Sequence, residues 1–345
     1  MSNSLKILIT GGAGFIGSNI AKNYIEKGDK VIIFDNLSRN RSQYNLNWLK
    51  EIGNFDFIKG DIDDKNQVNK LLENNKDIDI LYHQAAQVAV VLSIKNPRKD
   101  FNSNALGTFN ILEAVRKYTP GAIVIYPSTN KVYGELGELR MEEKNKRYEF
   151  TNKKYKGGIN ESHNLDFHSP YGCSKGAADQ YVRDYARIFG LKTITFRQSC
   201  IYGYRQMGIE DQGWVAWFII KLILGNPVTL FGTGKQVRDI LFIDDLVNAY
   251  QMAIDNVNKT SGQIYNMGGG YKNSLSLLEL IDLLEDISGN RLEYSFSNWR
   301  LGDQKIFITD TSRAQKDFGW EPKMSKREGI KKLYKWLKEN RNIFK

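Results

Sequence analysis

The sequence predicts a doubly wound α/β fold, a parallel sheet with helices on both faces, joined to a smaller, discontinuous α/β domain that would hold a substrate. Three observations predict it. Short apolar, β-branched runs alternate with amphipathic stretches through the first 196 residues, the pattern of βαβ units whose strands run parallel. The first run, Lys6–Thr10, leads directly into Gly11-Gly12-Ala13-Gly14-Phe15-Ile16-Gly17, so glycines occupy the first strand-to-helix turn. Finally, 345 residues with 41% hydrophobic content suffice for two packed units.

In order, Lys6–Thr10 reads as a strand, Ser18–Lys27 as a helix and Lys30–Phe34 as a strand, which completes one βαβ unit. The pattern continues with a strand at Phe55–Lys59, a helix at Asn66–Glu73, a strand at Ile78–His83, a helix at Asn104–Lys117 and a strand at Ala122–Tyr126. A helix at Ser174–Phe189 and a strand at Lys192–Phe196 extend it. Glu135–His168 is charged and has no clear period, which predicts a long surface excursion covering an active site. From Arg205 the alternation breaks into glycine-punctuated loops, with helices expected at Trp214–Leu224 and Leu275–Ile287 and a return to the first domain near Asp244–Ala253. The expected domains are therefore 1–196 with 238–265, and 197–237 with 266–345.

Composition narrows the function classes. The two cysteines, Cys173 and Cys200, cannot build a disulfide framework, and no Cys/His spacing suits a metal. Packing is the expected role of Cys173, and His83, His163 and His168 are expected to be structural. The first residues lack a signal-peptide pattern, and no uncharged run could span a bilayer. A cytoplasmic protein with no membrane partner is expected. The net charge of +10 is spread along the chain, so a solvated surface explains it better than a nucleic-acid stripe, and no nucleic-acid partner is expected.

The glycines carry the first chemical signal. Gly11 permits a tight turn, Gly14 lets backbone approach a pyrophosphate, and Gly17 lets the helix pack on its strand, the requirements of a Rossmann dinucleotide site. Asp35 ends the second strand about 20 residues on, where a carboxylate accepts hydrogen bonds from a ribose and repels a 2′-phosphate. NAD is therefore expected over NADP, although Arg39 could tolerate a phosphate. Asp61 follows the third strand and could meet an adenine edge or cap the next helix.

The second signal is Tyr171-Gly172-Cys173-Ser174-Lys175, preceded in the chain by Ser128-Thr129 at the end of a strand. Residues i and i+4 share a helix face, so Tyr171 and Lys175 can converge. An ammonium there would stabilise a phenolate and lower its pKa from about 10 toward the range of a general base.

With these residues the chain resembles the extended short-chain dehydrogenase/reductase family of NAD-dependent nucleotide-sugar epimerases and dehydratases. Further stretches fit that family: His83-Gln84-Ala85-Ala86, Asn104 with Gly107-Thr108, Val132-Tyr133-Gly134, Phe196-Arg197, Tyr202-Gly203, Gly232-Thr233-Gly234 with Arg238-Asp239, and Asn266-Met267-Gly268. The resemblance implies that Tyr171 is the base, that Lys175 binds the nicotinamide ribose and tunes Tyr171, and that Thr129 holds the reacting hydroxyl. It implies NAD contacts from Gly11, Gly14, Phe15, Ile16, Gly17, Asp35, Asn36, Ser38, Arg39, Asp61, Ile62, Ala85, Ala86, Gln87, Asn104, Tyr171 and Lys175. Thr129, Asn130, Ser199, Arg238, Arg300 and Asp303 are implied for the substrate, with Arg238 and Arg300 as diphosphate clamps and the second domain as the nucleotide-sugar-binding one. The stretches around Ser128–Gly134, Leu165–Tyr181, Asp211–Trp214 and Gly234–Asp239 further imply a CDP-sugar inverted at C2 and a place in lipopolysaccharide O-antigen biosynthesis, and the family resemblance implies a homodimer or homotetramer. A 4,6-dehydratase needs an acid after the active-site Thr, where this chain has Asn130, and an amide cannot donate a proton as a carboxylic acid does. Lys131 is shared with CDP-sugar dehydratases. Retention of Thr129, Tyr171 and Lys175 together argues against a non-catalytic NAD- or RNA-binding protein.

Overall fold

The computed structural model describes residues 4–344; residues 1–3 and 345, at the ends of the expected domain segments, lie outside the described residues. Seven strands form one sheet in the order Asp56–Lys59, Lys30–Asp35, Lys6–Thr10, Ile80–His83, Ile123–Thr129, Lys192–Gln198, Ile264–Met267. The first four neighbouring pairs are parallel. The middles of the central strands are apolar because both faces are covered: Ile7, Leu8 and Ile9 are all fully buried. Leu8, Phe34, Leu81, Ile111, Leu112, Val115, Val124 and Val182 share one core cluster, each contributing about 1.5–3 kcal/mol of burial.

The strand order decides where a ligand can bind. From Lys6–Thr10 the chain winds outward through Lys30–Asp35 and Asp56–Lys59, then crosses back to Ile80–His83 on the other side. That reversal opens a crevice at the carboxyl ends of the two central strands, where Thr10 and His83 are register partners.

Several elements differ from the sequence reading. Helix Phe15–Lys27 starts three residues earlier than expected, and helix Ser42–Ile52 was not foreseen. The expected helix at Asn104–Lys117 is instead a π turn, Asn102–Leu106, followed by Gly107–Tyr118, and a short helix, Pro97–Phe101, precedes it. Helix Ser169–Phe189 begins before Tyr171 rather than after it. The Leu275–Ile287 region opens as strand Ser274–Ser276, and Ser276 and Glu279 then form a capping box for Leu277–Ser288, the local signature of a helix start.

Two compact units divide the chain. One comprises residues up to Thr129 with Pro170–Arg197 and Val247–Tyr265; the other comprises Asn130–Ser169, Gln198–Leu246 and Asn266 onward. Residues 130–169 and 238–246 therefore lie in the second unit and not with the dinucleotide-type sheet, where the expected boundaries put them. Pairing explains this. Strand Val237–Phe242 pairs with Cys200–Tyr202, Ser274–Ser276 and Ile306–Phe307. The expected surface excursion at 135–168 is also corrected: Leu136, Leu139, Tyr148, Phe150 and Ile159 are buried in one cluster with Val237, Ile306, Phe307 and Ile308. Its charged residues concealed apolar positions without a regular period.

Candidate active site

In the first unit the glycine turn is fixed by contacts that only glycine permits. Gly11 has φ +69°, and a Cβ there would stand 2.6 Å from Ala85 N. At Gly17 a Cβ would stand 2.3 Å from Gly11 O. Helix Phe15–Lys27 is N-capped by Gly14 with no side-chain hydrogen bond, so its first N–H groups are open to an anion.

Asp35 ties this turn to the second strand. One carboxylate oxygen accepts from Ala13 N at 3.0 Å and the other from Leu37 N at 2.8 Å, and burial raises its pKa despite those donors. Asn36 donates to Asp61 Oδ2 at 2.8 Å, and Ser38 N donates to Asn36 Oδ1 at 2.9 Å, which braces the loop beyond Asp35. Arg39 is half-buried, and burial lowers its guanidinium. The open question at Asp61 resolves here: Asp64, not Asp61, caps helix Lys65–Glu73, accepting from Asn66 N and Gln67 N. Ile62 is buried below it.

The loop after Ile80–His83 carries Ala85, Ala86 and Gln87. Asn104, expected as a cofactor contact, instead straps this loop: Oδ1 accepts from Gln87 N at 2.9 Å and Nδ2 donates to Gln87 O at 3.0 Å. Its remaining amide hydrogen faces Asp100 and Ser174. Fully committed, it can reach a ligand only by holding Gln87. His83 lies between Thr10 and Thr108, and burial pushes it down to about 3, so it is neutral and structural.

Helix Ser169–Phe189 presents Tyr171 and Lys175 one turn apart. Both are buried, and Tyr171 is hydrogen-bonded to Thr129 at the end of Ile123–Thr129. Ser93 Oγ accepts from Tyr171 N at 3.2 Å. The direct lysine-to-phenol interaction expected from the spacing is not what the structure contains. Lys175 Nζ donates to Pro127 O at 2.6 Å and sits 4.3 Å from the Tyr126 ring centre. Burial pushes Tyr171 up to about 12, with only the Thr129 bond opposing it, and pulls Lys175 down to about 7. Cys173, expected to pack, is exposed.

In the second unit, Asn130 Nδ2 donates to Gln304 Oε1 at 3.0 Å, and Gln304 Nε2 donates to Gly134 O at 2.6 Å. Lys131 Nζ donates to Gly302 O at 2.9 Å and lies 4.0 Å from Asp303; burial, then Arg238, pull it down to about 8. Arg238 is buried and donates to Val237 O. Arg300 pairs with Asp211 at 3.3 Å and stacks 3.7 Å from the Phe231 ring centre. Ser199 gives its hydroxyl to Asp239 at 2.6 Å, bracing the strand that carries Arg238. Among the described residues, no group of three or more His, Cys, Asp or Glu could hold a metal ion, and no helix is long and apolar enough to cross a membrane.

Residues 7–268 match the NAD dependent epimerase/dehydratase family. The chain belongs to that family. As a member it is similar to CDP-paratose 2-epimerase of Salmonella typhi, 48% identical over 337 residues that cover 96% of this chain and 99% of that protein. It is also similar to the structure of UDP-glucose 4-epimerase from Thermotoga maritima with UDP-glucose, with a TM-score of 0.83 and 32% identity over 97% of this chain and 99% of that one. The structure of Thermus thermophilus UDP-glucose 4-epimerase with NAD matches with a TM-score of 0.80 and 29% identity, covering 96% and 98% of the two chains.

NAD, the family's cofactor, suits this unit on its own geometry: an uncapped helix start, a turn that a Cβ would fill, and a carboxylate at the end of the second strand. Asp100, Ser174, Ser93 and Gln304 are polar residues of these constellations that the sequence reading missed. Most of their partners are distant in sequence; the Asp100 to Asn104 and Tyr171 to Ser174 spacings, each about one helical turn, are the local traces.

Proposed function

We propose that this protein is an NAD-dependent epimerase that inverts C2 of a CDP-hexose, converting CDP-paratose to CDP-tyvelose. One observation carries the reading: Thr129 is hydrogen-bonded to Tyr171, with Lys175 on the same helical face, in a chain 48% identical to a CDP-paratose 2-epimerase. Bound NAD supplies a hydride acceptor that becomes the donor again within one turnover.

The chain's residues do the rest. The N–H groups opening helix Phe15–Lys27 hold the cofactor diphosphate, and Asp35 takes the ribose hydroxyls. Ile62 borders the adenine, Asp61 meets its edge, and Ala85 to Gln87 line the pyrophosphate turn. Thr129 holds the reacting hydroxyl, Tyr171 takes its proton and later returns it, and Lys175, when protonated, must exchange the Pro127 carbonyl to bring positive charge to the developing phenolate. Arg238 and Arg300 hold the diphosphate of the substrate, because guanidinium forks match phosphate oxygens; Arg300 must exchange Asp211 for it. Asn130 supports epimerisation over dehydration, since its amide is committed to Gln304 and donates no proton to a leaving hydroxyl.

Oxidation at C2 is the economical route for a 3-deoxy sugar. A ketone at C4 would acidify C3 and C5 and leave C2 one carbon too far for enolisation. Oxidation at C2 needs only removal of the hydroxyl proton, the role proposed for Tyr171 with Thr129, and loss of the C2 hydride to the hydride acceptor that bound NAD would supply, after which the planar ketone presents its other face.

The reading includes a cytoplasmic homo-oligomer, a dimer at least. Cys173 and Cys200, neither of them in a disulfide, support a reducing compartment. Phe109, Tyr181, Ile188 and Phe189 are exposed on helices Gly107–Tyr118 and Ser169–Phe189, and Phe109, Tyr181 and Tyr185 stack edge to face. Two such helices from each copy bury this stripe by two-fold symmetry. Incubation with CDP-paratose tests the reaction: CDP-tyvelose is the expected product, and turnover of UDP-glucose alone would replace this reading with a 4-epimerase.

A further inference from the structure

The first unit buries two opposite charges that make no direct ion pair. Asp100, on the short helix Pro97–Phe101, is fully buried. Its Oδ1 accepts from Gln87 Nε2 at 2.7 Å and Asn104 Nδ2 at 3.1 Å, and its Oδ2 accepts from Ser174 Oγ at 2.5 Å. All three donors are neutral. A carboxylate taken out of water is costly unless a positive charge compensates it.

Lys175 is the cation in reach, electrostatically coupled to Asp100. The groups facing its ammonium are the Pro127 carbonyl and Tyr126 ring from Ile123–Thr129, neutral His83 from Ile80–His83, Asp179 one turn along its own helix, and Asp100. Burial disfavours the ammonium, and Asp179 and then Asp100 oppose that. Asp179, however, is held bidentate by Arg197, with both contacts at 2.9 Å, a pair neutral overall. Asp100 has no cation in contact among the described residues, so its charge is the uncommitted one. Ser174 is also the link between the two residues, lying directly before Lys175 and three after Tyr171, whose carbonyl its hydroxyl meets at 3.2 Å.

We propose that Asp100 is a positioning residue for the Tyr171 and Lys175 pair: through Ser174 its buried carboxylate fixes the helical turn carrying both residues, and its negative charge favours the ammonium form of Lys175. The inference rests on the reading of Tyr171 and Lys175 given above. Through Gln87 and Asn104 the same carboxylate joins that turn to the loop assigned to the cofactor, so one residue sets the spacing of both.

The test reads Lys175 directly, by NMR titration of enzyme carrying its NAD and labelled with 13C at lysine Cε, with Lys175→Arg assigning the resonance. Asp100→Asn is expected to lower the Lys175 midpoint by about one unit or more, the effect of removing an opposite charge at short range, and to lower kcat more than it raises KM. Asp100→Glu keeps the charge and is expected to leave the midpoint in place, which keeps the test open should Asp100→Asn fail to fold. An unmoved midpoint in Asp100→Asn, or a downward shift in Asp100→Glu, overturns the proposal. The midpoint is measured without turnover, so a shifted midpoint in a protein that epimerises nothing would remove the proposed reaction and leave the charge coupling standing.

Discussion

Asn130 donates its side-chain amide to Gln304 at 3.0 Å, 174 residues away in sequence. Gln304 cannot turn its amide over to suit another partner without giving up its own 2.6 Å bond to Gly134 O. The position where a dehydratase would carry an acid is therefore built to receive a donor. Asn130→Asp sets a carboxylate against an amide oxygen, at a cost of about 1–3 kcal/mol of stability. The buried carboxyl can donate to Gln304 only when protonated, so its folded-state pKa rises and the penalty grows as pH increases. Urea unfolding at pH 5 and pH 8 checks this: the deficit against the parent is expected to be larger at pH 8, and an equal deficit would show that Gln304 rearranges.

Tyr171→Phe removes the hydroxyl that meets Thr129 and keeps the ring. Turnover is expected to fall by about 10²- to 10⁴-fold, the usual contribution of a general base, with NAD content and far-UV circular dichroism unchanged. A variant within about 3-fold of the parent rate would exclude Tyr171 as the base.

Lys175 is pulled from its ordinary 10.5 to about 7 by burial, and the sign of the consequence follows. Between those values the unfolded chain binds a proton that the folded chain does not, so the lysine penalises folding increasingly as pH falls from about 10.5 to about 7, then by a constant amount below. Lys175→Met abolishes that titration. Its stability relative to the parent, both freed of NAD, is expected to improve as pH is lowered through this window. A difference independent of pH between 7 and 10 would contradict the downward shift that burial imposes on Lys175.

Most of the scaffold of these residues was readable in the sequence because it depends on local period and composition. The alternation of runs such as Lys30–Phe34 with amphipathic stretches marks parallel strands buried on both faces, and glycines between Thr10 and Phe15 mark the turn. What escaped was set by tertiary partners. Lys175 and Tyr171 share a helical face as their spacing requires, yet the lysine bonds to Pro127, whose carbonyl no pattern points to. The segment at 135–168 looked solvent-exposed because its buried residues, Tyr148 and Phe150 among them, are interspersed with lysines and glutamates at the short hairpin Met141–Glu143/Tyr148–Phe150. Asp100 belongs to no motif that marks it in the sequence, and it is fully buried.

The exposed Phe109 and Tyr181 rings, 5.6 Å apart, are where the proposed dimer can be broken. Phe109→Lys with Tyr181→Lys places four extra cations across a two-fold interface. Light scattering after size exclusion is expected to report the mass of one chain for the double variant and of two or more for the parent. A parent that runs as one chain at tens of micromolar would contradict the proposed assembly.

Oxidation and return of hydride at C2, with Thr129 and Tyr171 handling the proton, is the proposed chemistry. CDP-paratose deuterated at C2, turned over once or many times in ordinary water, is the most direct measurement. CDP-tyvelose is expected to retain the deuterium at C2, and turnover of unlabelled substrate in heavy water is expected to introduce none there. Solvent hydrogen appearing at C2 of the product would contradict it and establish a deprotonation route instead.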